Sequence, residues 1–230
     1  MRKVMIGTPS YDGRVDVRYV DSLMGTLRAV EPETIIFPVF IPGDALVQRA
    51  RNSLVKMALE AFDGEGVDEL MFIDSDISWN PTDFYRLLSH KADIIGGLYP
   101  QKSDIQTVTI KLLPDKKVDE AGLLEVSGVG CGFLRMSKKA LKTLWEYAKP
   151  YRNGPEYAKA IFEVSIQNEE LFGEDTDMCL KWRSLGEKVY ADTKILCAHT
   201  GTKVYMLGVK PVEPKPEEKK KPVKKKKKEG

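Results

Sequence analysis

The first hundred residues alternate between strand and helix patterns, and this alternation constrains the fold more than any other feature. Short apolar runs rich in β-forming residues are separated by segments whose apolar residues recur at helical spacing. The predicted strands cover residues 4–7, 34–40, 69–73 and 92–99, and the predicted helices cover residues 16–30, 44–64 and 80–90. Such alternation is typical of a parallel, doubly wound sheet covered by helices. Pro38 places the second strand at an edge or distorts it.

The second half of the chain has a more antiparallel pattern. Strands are predicted over residues 107–113, 123–126, 129–136 and 188–191, and helices over residues 137–149 and 174–185. Residues 150–173 are predicted to be irregular. The sequence therefore predicts an α/β fold with one domain over residues 1–210, built on a mixed, mainly parallel central sheet flanked by helices.

The last twenty residues differ from the rest in composition. Residues 211–230 hold nine Lys against four Glu, so removing their surplus of five from the net charge of +2 leaves about −3 on the other 210 residues. The segment has no apolar periodicity, and we expect a disordered Lys-rich tail. Such a tail suits contact with anionic surfaces, and it equally suits a solubilising role without a partner. No nucleic-acid partner is expected for the acidic folded body.

Three features bear on the cellular compartment. No apolar run approaches the ~18 residues of a transmembrane helix, and residues 1–7 lack the apolar core of a signal peptide. The three cysteines form no CxxC pair. A reducing compartment is expected, which is the cytoplasm, or the host cytoplasm if the chain is viral.

The segment ELMFIDSDISWNP ends a predicted strand with two carboxylates. At a strand end, residues i and i+2 point to the same side, so Asp74 and Asp76 can converge on one ligand. Ligands of open α/β sheets bind outside the carboxyl ends of the strands, and hard oxygen donors suit Mg²⁺ or Mn²⁺. A second triplet, Asp175-x-Asp177, opens a helix, where residues i and i+2 lie about 200° apart and cannot share an ion. The first triplet is the better candidate, although a simple turn would also tolerate it.

Three stretches together resemble the successive motifs of the GT-A glycosyltransferases, most nearly those of the inverting family-two type. They are ELMFIDSDISWNP, GVGCGFLRM and LFGEDTDMCLKWRSLGEKVYAD. In the third, an acidic pair opens a helix, Arg183 lies near the helix end and Gly186 precedes a strand. The resemblance covers about residues 1–205, and the compact form is similar to glycosyltransferases of large DNA viruses and phages.

The resemblance implies a metal and catalytic site. Asp74-Ser75-Asp76 would be the DxD motif: Asp76 would bind Mn²⁺ or Mg²⁺, Asp74 would reach the metal or the donor's ribose and sugar, and Ser75 would lie in the donor site. His199 matches a late histidine ligand of the metal. In the acidic pair, Asp175 matches the catalytic base and Glu174 lies beside it.

The resemblance also implies a donor site and an activity. The loop after the first strand, with Thr8, Pro9 and Tyr11, would bind the nucleotide, and Asp44 or Arg49 would complete this site. The enzyme would move one sugar from a UDP- or GDP-sugar to a glycan, protein or small-molecule acceptor, with inversion. Two departures limit the match: no acidic residue directly follows the second strand, and no QxxRW segment is present, which argues against a processive synthase.

Simpler roles remain open for several of these residues. His199 fits a hydrogen-bonded structural histidine, and Tyr11 fits a cover for the core edge. The acidic pair fits charges that complement a helix dipole, and Arg49 fits a solvated helix face together with Arg51. Two other functions also stay open, a sugar-phosphate nucleotidyltransferase and a non-catalytic nucleotide- or carbohydrate-binding module. The absence of GxGxxG and GxxxxGK[ST] after any predicted strand argues against a dinucleotide fold and a P-loop.

Overall fold

The computed structural model describes residues 1–103, 105, 107–201 and 204–205. The predicted Lys-rich tail, residues 211–230, lies outside the described residues. Within the described part the helices are α1 (Val17–Arg28), α2 (Val47–Glu60), α3 (Pro81–Ser89), α4 (Lys138–Tyr147) and α5 (Glu174–Ser184). The strands are β1 (Arg2–Ser10), β2 (Thr34–Pro42), β3 (Glu69–Ile73), β4 (Ile77–Ser78), β5 (Ile94–Leu98), β6 (Ile110–Leu112), β7 (Leu123–Val129), β8 (Phe133–Ser137), β9 (Pro150–Asn153), β10 (Glu156–Lys159), β11 (Ser165–Gln167), β12 (Glu170–Phe172), β13 (Val189–Leu196), β14 (Ala198–Thr200) and β15 (Val204–Tyr205).

Eight of the described strands form the central sheet, in the order β2-β1-β3-β8-β5-β13-β7-β6. The pairings β1–β2, β1–β3 and β5–β13 are parallel, and the other four are antiparallel. Following these directions across the sheet, six strands run one way and β7 and β8 run the other way. The predicted α/β architecture with a mixed, mainly parallel sheet is confirmed, and β2 with its Pro38 lies at the sheet edge as predicted.

Helices cover both faces of the sheet. On one face, Leu54 of α2, Leu141 of α4 and Trp182 of α5 join a buried core. On the other face, Tyr19 of α1 and Phe84 of α3 join a second core. The strands supply alternate residues to the two cores, because successive side chains of a strand point to opposite faces. The carboxyl ends of β1, β2 and β3 therefore meet at one edge between two helical layers.

Three helix ends are formed by residues that favour a helix terminus. Asn80 accepts a hydrogen bond from the Thr82 amide (3.1 Å) at the start of α3, and Ser137 accepts one from the Ala140 amide (3.1 Å) at the start of α4. Gly186, just beyond α5, has a φ of +83°, which glycine adopts without strain.

The helix predicted over residues 44–64 begins three residues later in the structure, as α2 (Val47–Glu60). The N-cap is Leu46, and Asp44 lies two residues earlier, where its carboxylate accepts a hydrogen bond from the Leu46 amide (2.9 Å). Asp44 thus stabilises the turn that leads into the helix rather than the first helical turn itself.

The predicted irregular segment, residues 150–173, contains two β-hairpins, so this prediction is wrong. One hairpin pairs β9 with β10, and the other pairs β11 with β12. Both are two-stranded sheets in the described part of the chain. Their strands have three or four residues, too few for alternation to stand out in the sequence.

The helix α1 faces the core with its more polar side. Tyr19, Ser22 and Thr26 are buried, because Trp79 donates from its amide to the Ser22 hydroxyl (3.0 Å) and from its indole nitrogen to the Thr26 hydroxyl (2.9 Å). The apolar residues Val17 and Met24, whose spacing identified the helix, are exposed. The spacing predicted the helix correctly but not its buried face.

The three cysteines are buried and free. None of the helices in the described residues is both long and apolar enough to cross a membrane.

Candidate active site

The loop of Asp74, Ser75 and Asp76 follows β3 directly and is fixed by three backbone hydrogen bonds. The Asp74 amide donates to the Gly132 carbonyl (3.1 Å), the Asp16 amide donates to the Ser75 carbonyl (2.8 Å), and the Thr200 amide donates to the Asp76 carbonyl (2.8 Å). The loop thus joins β8, the start of α1 and β14 at the carboxyl end of β3. Its three side chains are half-buried and border this junction.

Asp76 and His199 lie face to face. The antiparallel pairing of β4 with β14 sets His199 opposite Ile77, beside Asp76, and His199 Nε2 lies 3.4 Å from Asp76 Oδ1. Because His199 Nδ1 donates to the Pro100 carbonyl (2.9 Å), Nε2 is the ring nitrogen left to bind a ligand. The ring of Tyr99 packs edge-on against the imidazole, at a centroid distance of 5.6 Å. The structure brings these two predicted metal ligands together.

A lysine also contacts the carboxylate of Asp76. Lys102 Nζ donates to Asp76 Oδ2. Burial alone would raise the pKa of Asp76, but the hydrogen bonds from His199 and Lys102 outweigh burial and lower it. Asp76 therefore stays ionised, as a metal ligand must. The sequence offered no signal for Lys102, which lies 26 positions from its partner.

The donor set fits a divalent cation that the substrate completes. Among the described residues, no group of three or more His, Cys, Asp or Glu is arranged to hold a metal. Mg²⁺-type sites, however, commonly use one or two carboxylates together with substrate phosphates and water. Asp76 and His199 supply one carboxylate and one imidazole, provided that Lys102 no longer bonds Asp76 Oδ2. Asp74, which sequence reasoning also assigned to the metal, is engaged elsewhere.

Arg51 of α2 holds Asp74 and connects it to the acidic pair. Its Nη2 donates to Asp74 Oδ1 (2.8 Å), and its Nη1 donates to Glu174 Oε1. The side chain is only 4% exposed. Burial lowers the pKa of Arg51, but the charges of Asp74 and Glu174 outweigh burial and raise it above its usual value.

The solvated helix face that the sequence left open for Arg49 and its neighbour Arg51 does not hold for Arg51, which is buried. Its partner Glu174 lies 123 positions away, so no local pattern reveals the contact. Asn52 is buried as well, and its side-chain amide bonds both the amide and the carbonyl of Phe162 (2.8 and 2.9 Å). The only signal in the sequence is the run of three polar residues, 51–53, between the buried Ala50 and Leu54.

Asp175 lies at the N-terminus of α5, beside Glu174. Its carboxylate accepts hydrogen bonds from the Thr176 amide (2.6 Å) and hydroxyl (3.3 Å). Among the described residues Asp175 forms no salt bridge, whereas Glu174 pairs with Arg51 and Asp177 pairs with Lys181. Asp177 is buried and also accepts from Ser165 (2.5 Å). Asp175 and Asp177 thus point to different partners, as their helical spacing predicts.

The predicted donor-binding residues lie at the carboxyl ends of β1 and β2. The Thr8 side chain is fully buried and bonds the Tyr19 hydroxyl (2.6 Å), so it cannot bind a nucleotide as expected. Pro9 is half-buried in β1, and Tyr11 is 71% exposed just beyond it. Asp44 and Arg49 form a two-point ion pair (2.8 and 2.9 Å), and this pair lowers the pKa of Asp44.

The glycines of GVGCGFLRM make room for Tyr99. A Cβ on Gly130 would lie 2.2 Å from the Tyr99 hydroxyl oxygen, and one on Gly132 would lie 2.7 Å from the ring. The Tyr99 hydroxyl accepts from the Gly132 amide (2.8 Å). These glycines therefore serve the residue that supports His199, a role that sequence reasoning did not assign.

Comparison with known proteins shows likeness at the level of the fold. No protein-family model and no curated protein matches the sequence. The solved structure of A197 from STIV matches with a TM-score of 0.55 at 18% identity, covering 90% of this chain and 94% of that chain. GalNAc-T7, solved with UDP, GalNAc and Mn²⁺, matches with a TM-score of 0.55 at 8% identity, covering 86% of this chain but only 44% of that chain. The chain has a GT-A-like fold.

Proposed function

We propose that this protein is a metal-dependent glycosyltransferase that moves a single sugar from a nucleotide-sugar donor to an acceptor hydroxyl, with inversion. One observation carries the proposal. Three motifs that are far apart in the sequence meet at one place. Arg51 joins Asp74 of the first motif to Glu174 of the third. The second motif bonds the Asp74 amide through Gly132 and supports Tyr99, which packs against His199. GalNAc-T7, which shares the fold, was solved with a nucleotide, a sugar and Mn²⁺, and we propose ligands of the same classes here.

The proposed metal site consists of Asp76 and His199, completed by donor phosphates. A divalent cation bound there would stabilise the negative charge that develops on the departing nucleoside diphosphate. Lys102 would leave Asp76 when the metal binds, and its ammonium would remain close to the donor phosphates. Tyr11, exposed at the end of β1, offers a ring surface on which the base can stack.

Asp175 is the proposed base. The acceptor hydroxyl must lose its proton as its oxygen attacks the anomeric carbon and the bond to the diphosphate breaks. Asp175 suits this task because no basic side chain of the described residues pairs with its carboxylate, whereas Glu174 beside it is occupied by Arg51. The hydrogen bond from the Thr176 amide fixes the carboxylate and leaves its second oxygen for the acceptor proton.

A thermal-shift screen of nucleotide sugars, each with and without Mn²⁺, tests the proposal. A ligand at a hundred times its Kd stabilises the protein by about 2.7 kcal/mol, which is a rise of about 5–10 °C in Tm for a chain of this size. The matched control is Asp76→Asn, which keeps the size of the side chain but removes its charge. The shift should require both the donor and Mn²⁺, and it should disappear in the variant.

Product analysis then separates glycosyl transfer from the alternatives. Slow release of nucleoside diphosphate from the stabilising nucleotide sugar supports the proposal. Formation of pyrophosphate from a nucleoside triphosphate and a sugar phosphate would instead identify a nucleotidyltransferase. Binding without turnover of either substrate would leave a non-catalytic module.

A further inference from the structure

The hairpin of β11 and β12 turns two aliphatic side chains outward. Ile166 and Leu171 are directly paired across the two strands and are 74% and 66% exposed. They share one face, because side chains alternate along a strand and paired residues lie on the same side. Val164, just before β11, is also exposed.

The opposite face of the same hairpin is directed at the protein. Ser165 and Gln167 both donate to the buried carboxylate of Asp177 (2.5 and 3.4 Å). From the other strand, Phe172 lies under the ammonium of Lys111, 4.8 Å from the ring centroid, and Glu170 pairs with the same lysine (3.9 Å). A one-residue shift in register would exchange the two faces and bury the aliphatic pair. The observed register keeps that pair in solvent.

The hairpin is held firmly in this orientation. Asn52 fixes Phe162 at its base through two hydrogen bonds (2.8 and 2.9 Å), and Lys181 bonds Glu163 (2.7 Å). The turn residues Asn168 and Glu169 have φ values of +51° and +65°, as in the tight turns that match the twist of paired strands. The outward aliphatic pair is thus a built feature and not a frayed loop.

The position of the hairpin connects it with the proposed chemistry. Strand β12 ends at Phe172, and the proposed base Asp175 follows three residues later. Leu171 and Asp175 are four positions apart in the sequence, which limits their Cα distance to about 14 Å. A molecule bound along this hairpin can therefore present a hydroxyl to Asp175.

Three properties of the surface favour a polypeptide. The hairpin has no third strand among the described residues, so its free edges can pair with an extended peptide. The aliphatic pair suits apolar side chains and offers no hydrogen bond to the hydroxyls of a glycan. Residues 163–175 carry five acidic side chains and no basic one. Lys181, Lys111 and Arg51 from elsewhere in the chain pair with Glu163, Glu170 and Glu174. Glu169 and Asp175 carry the remaining negative charge, which favours basic residues and disfavours an anionic membrane or a second copy of the same hairpin.

We propose that the hairpin of β11 and β12 is the acceptor platform, and that the acceptor is a polypeptide segment with apolar and basic side chains near the modified hydroxyl. The peptide adds a strand to the hairpin edge, places an apolar side chain on Ile166 and Leu171, and brings its hydroxyl to Asp175. This inference rests on the proposed function and specifies its acceptor.

Direct binding tests the platform without any donor. The probes are fluorescein-labelled synthetic peptides with one serine flanked by leucine and lysine at varied positions, and the same peptides with glutamate in place of lysine. Fluorescence anisotropy with the full chain should detect the lysine set and give at least tenfold weaker binding for the glutamate set. The double variant Ile166→Thr/Leu171→Thr, which keeps β-forming residues, should weaken binding of the lysine set about tenfold or more. Met57→Gln, at an exposed apolar residue of α2, is the control and should bind as the wild type does.

Transfer to the bound peptides completes the test. With the donor from the thermal-shift screen, the double variant should lose transfer to peptide through a raised KM, while its release of diphosphate by hydrolysis stays at the wild-type rate. Absence of peptide binding, equal binding by the double variant, or transfer to lactose and maltose but not to peptides would each overturn the acceptor assignment. Absence of donor binding would overturn the proposed function instead, so the two failures are distinguishable.

Discussion

Replacing Arg51 by methionine should destabilise the protein substantially, because Arg51 is the only cation that bridges Asp74 and Glu174 among the described residues. Removing one partner of a buried ion pair costs about 3–5 kcal/mol. Two features reduce this figure. The side chains of Asp74 and Glu174 are 29% and 18% exposed, so each carboxylate can turn partly to water. The Arg51 Nε–H is buried without a partner, and its removal returns about 1 kcal/mol.

The expected loss is therefore about 2–3 kcal/mol at neutral pH, which lowers the Tm by about 5–10 °C. Urea unfolding followed by far-UV circular dichroism measures the loss directly. Arg51→Lys should recover only part of the stability, since one ammonium cannot reproduce the two-point geometry of a guanidinium.

Arg49→Met supplies the matched control on the same helix. Arg49 also pairs with a carboxylate, but this pair lies at the surface, where ion pairs contribute little. Its Tm should stay close to that of the wild type. A loss below about 1 kcal/mol in Arg51→Met would refute the view that Arg51 holds two charges together in the protein interior.

Four further predictions concern the site and the tail. In calorimetry, Asp76→Ala should abolish Mn²⁺-dependent donor binding and Asp74→Ala should weaken it less; unchanged binding in Asp76→Ala would show that the metal site lies elsewhere. Lys102→Met should tighten Mn²⁺ binding about two- to fivefold, because it removes a cation that competes for Asp76 with a strength of up to about 1 kcal/mol; weaker binding would contradict this competition. Asp175→Asn should keep donor and metal affinity but lose about 10²–10⁴-fold in transfer rate, with a milder effect for Glu174→Gln, and near-normal turnover would exclude Asp175 as the base. Deletion of residues 212–230 should change neither Tm nor donor hydrolysis; a fall of several degrees in Tm would show that the tail packs on the body.

The elements that sequence patterns predicted well are those whose cause is local. The apolar run of Leu70 to Ile73 predicted β3, and the Asn80-Pro81 pair predicted the start of α3, because a cap and a fixed φ act within one helical turn. The convergence of Asp74 and Asp76 was expected from the two-residue repeat of a strand. The structure keeps both on one loop but gives them different partners.

The features that were missed depend on contacts between distant parts of the chain. Lys102 reaches Asp76 across 26 positions, and Arg51 reaches Glu174 across 123 positions. In the same way, the polar face of α1 is buried because Trp79 lies opposite it. Such partners become visible only when the topology is known, so a solvated helix face was the natural prediction for Arg51.

The distribution of cations divides the four carboxylates of the site into two kinds. Asp74 and Glu174 share Arg51, whose buried guanidinium is always charged and cannot leave without depriving two partly buried anions of their counter-ion. Asp76 faces a half-exposed lysine and an imidazole, both of which can give way to a metal or serve as its ligand. Asp175 is bound only by a backbone amide and a neighbouring hydroxyl. In both the Asp74–Asp76 loop and the Glu174–Asp175 pair, one carboxylate is therefore held by Arg51, and the other stays available for chemistry. Arg51 thus connects the loop that carries the proposed metal ligand Asp76 directly to the first turn of the helix that carries the proposed base Asp175.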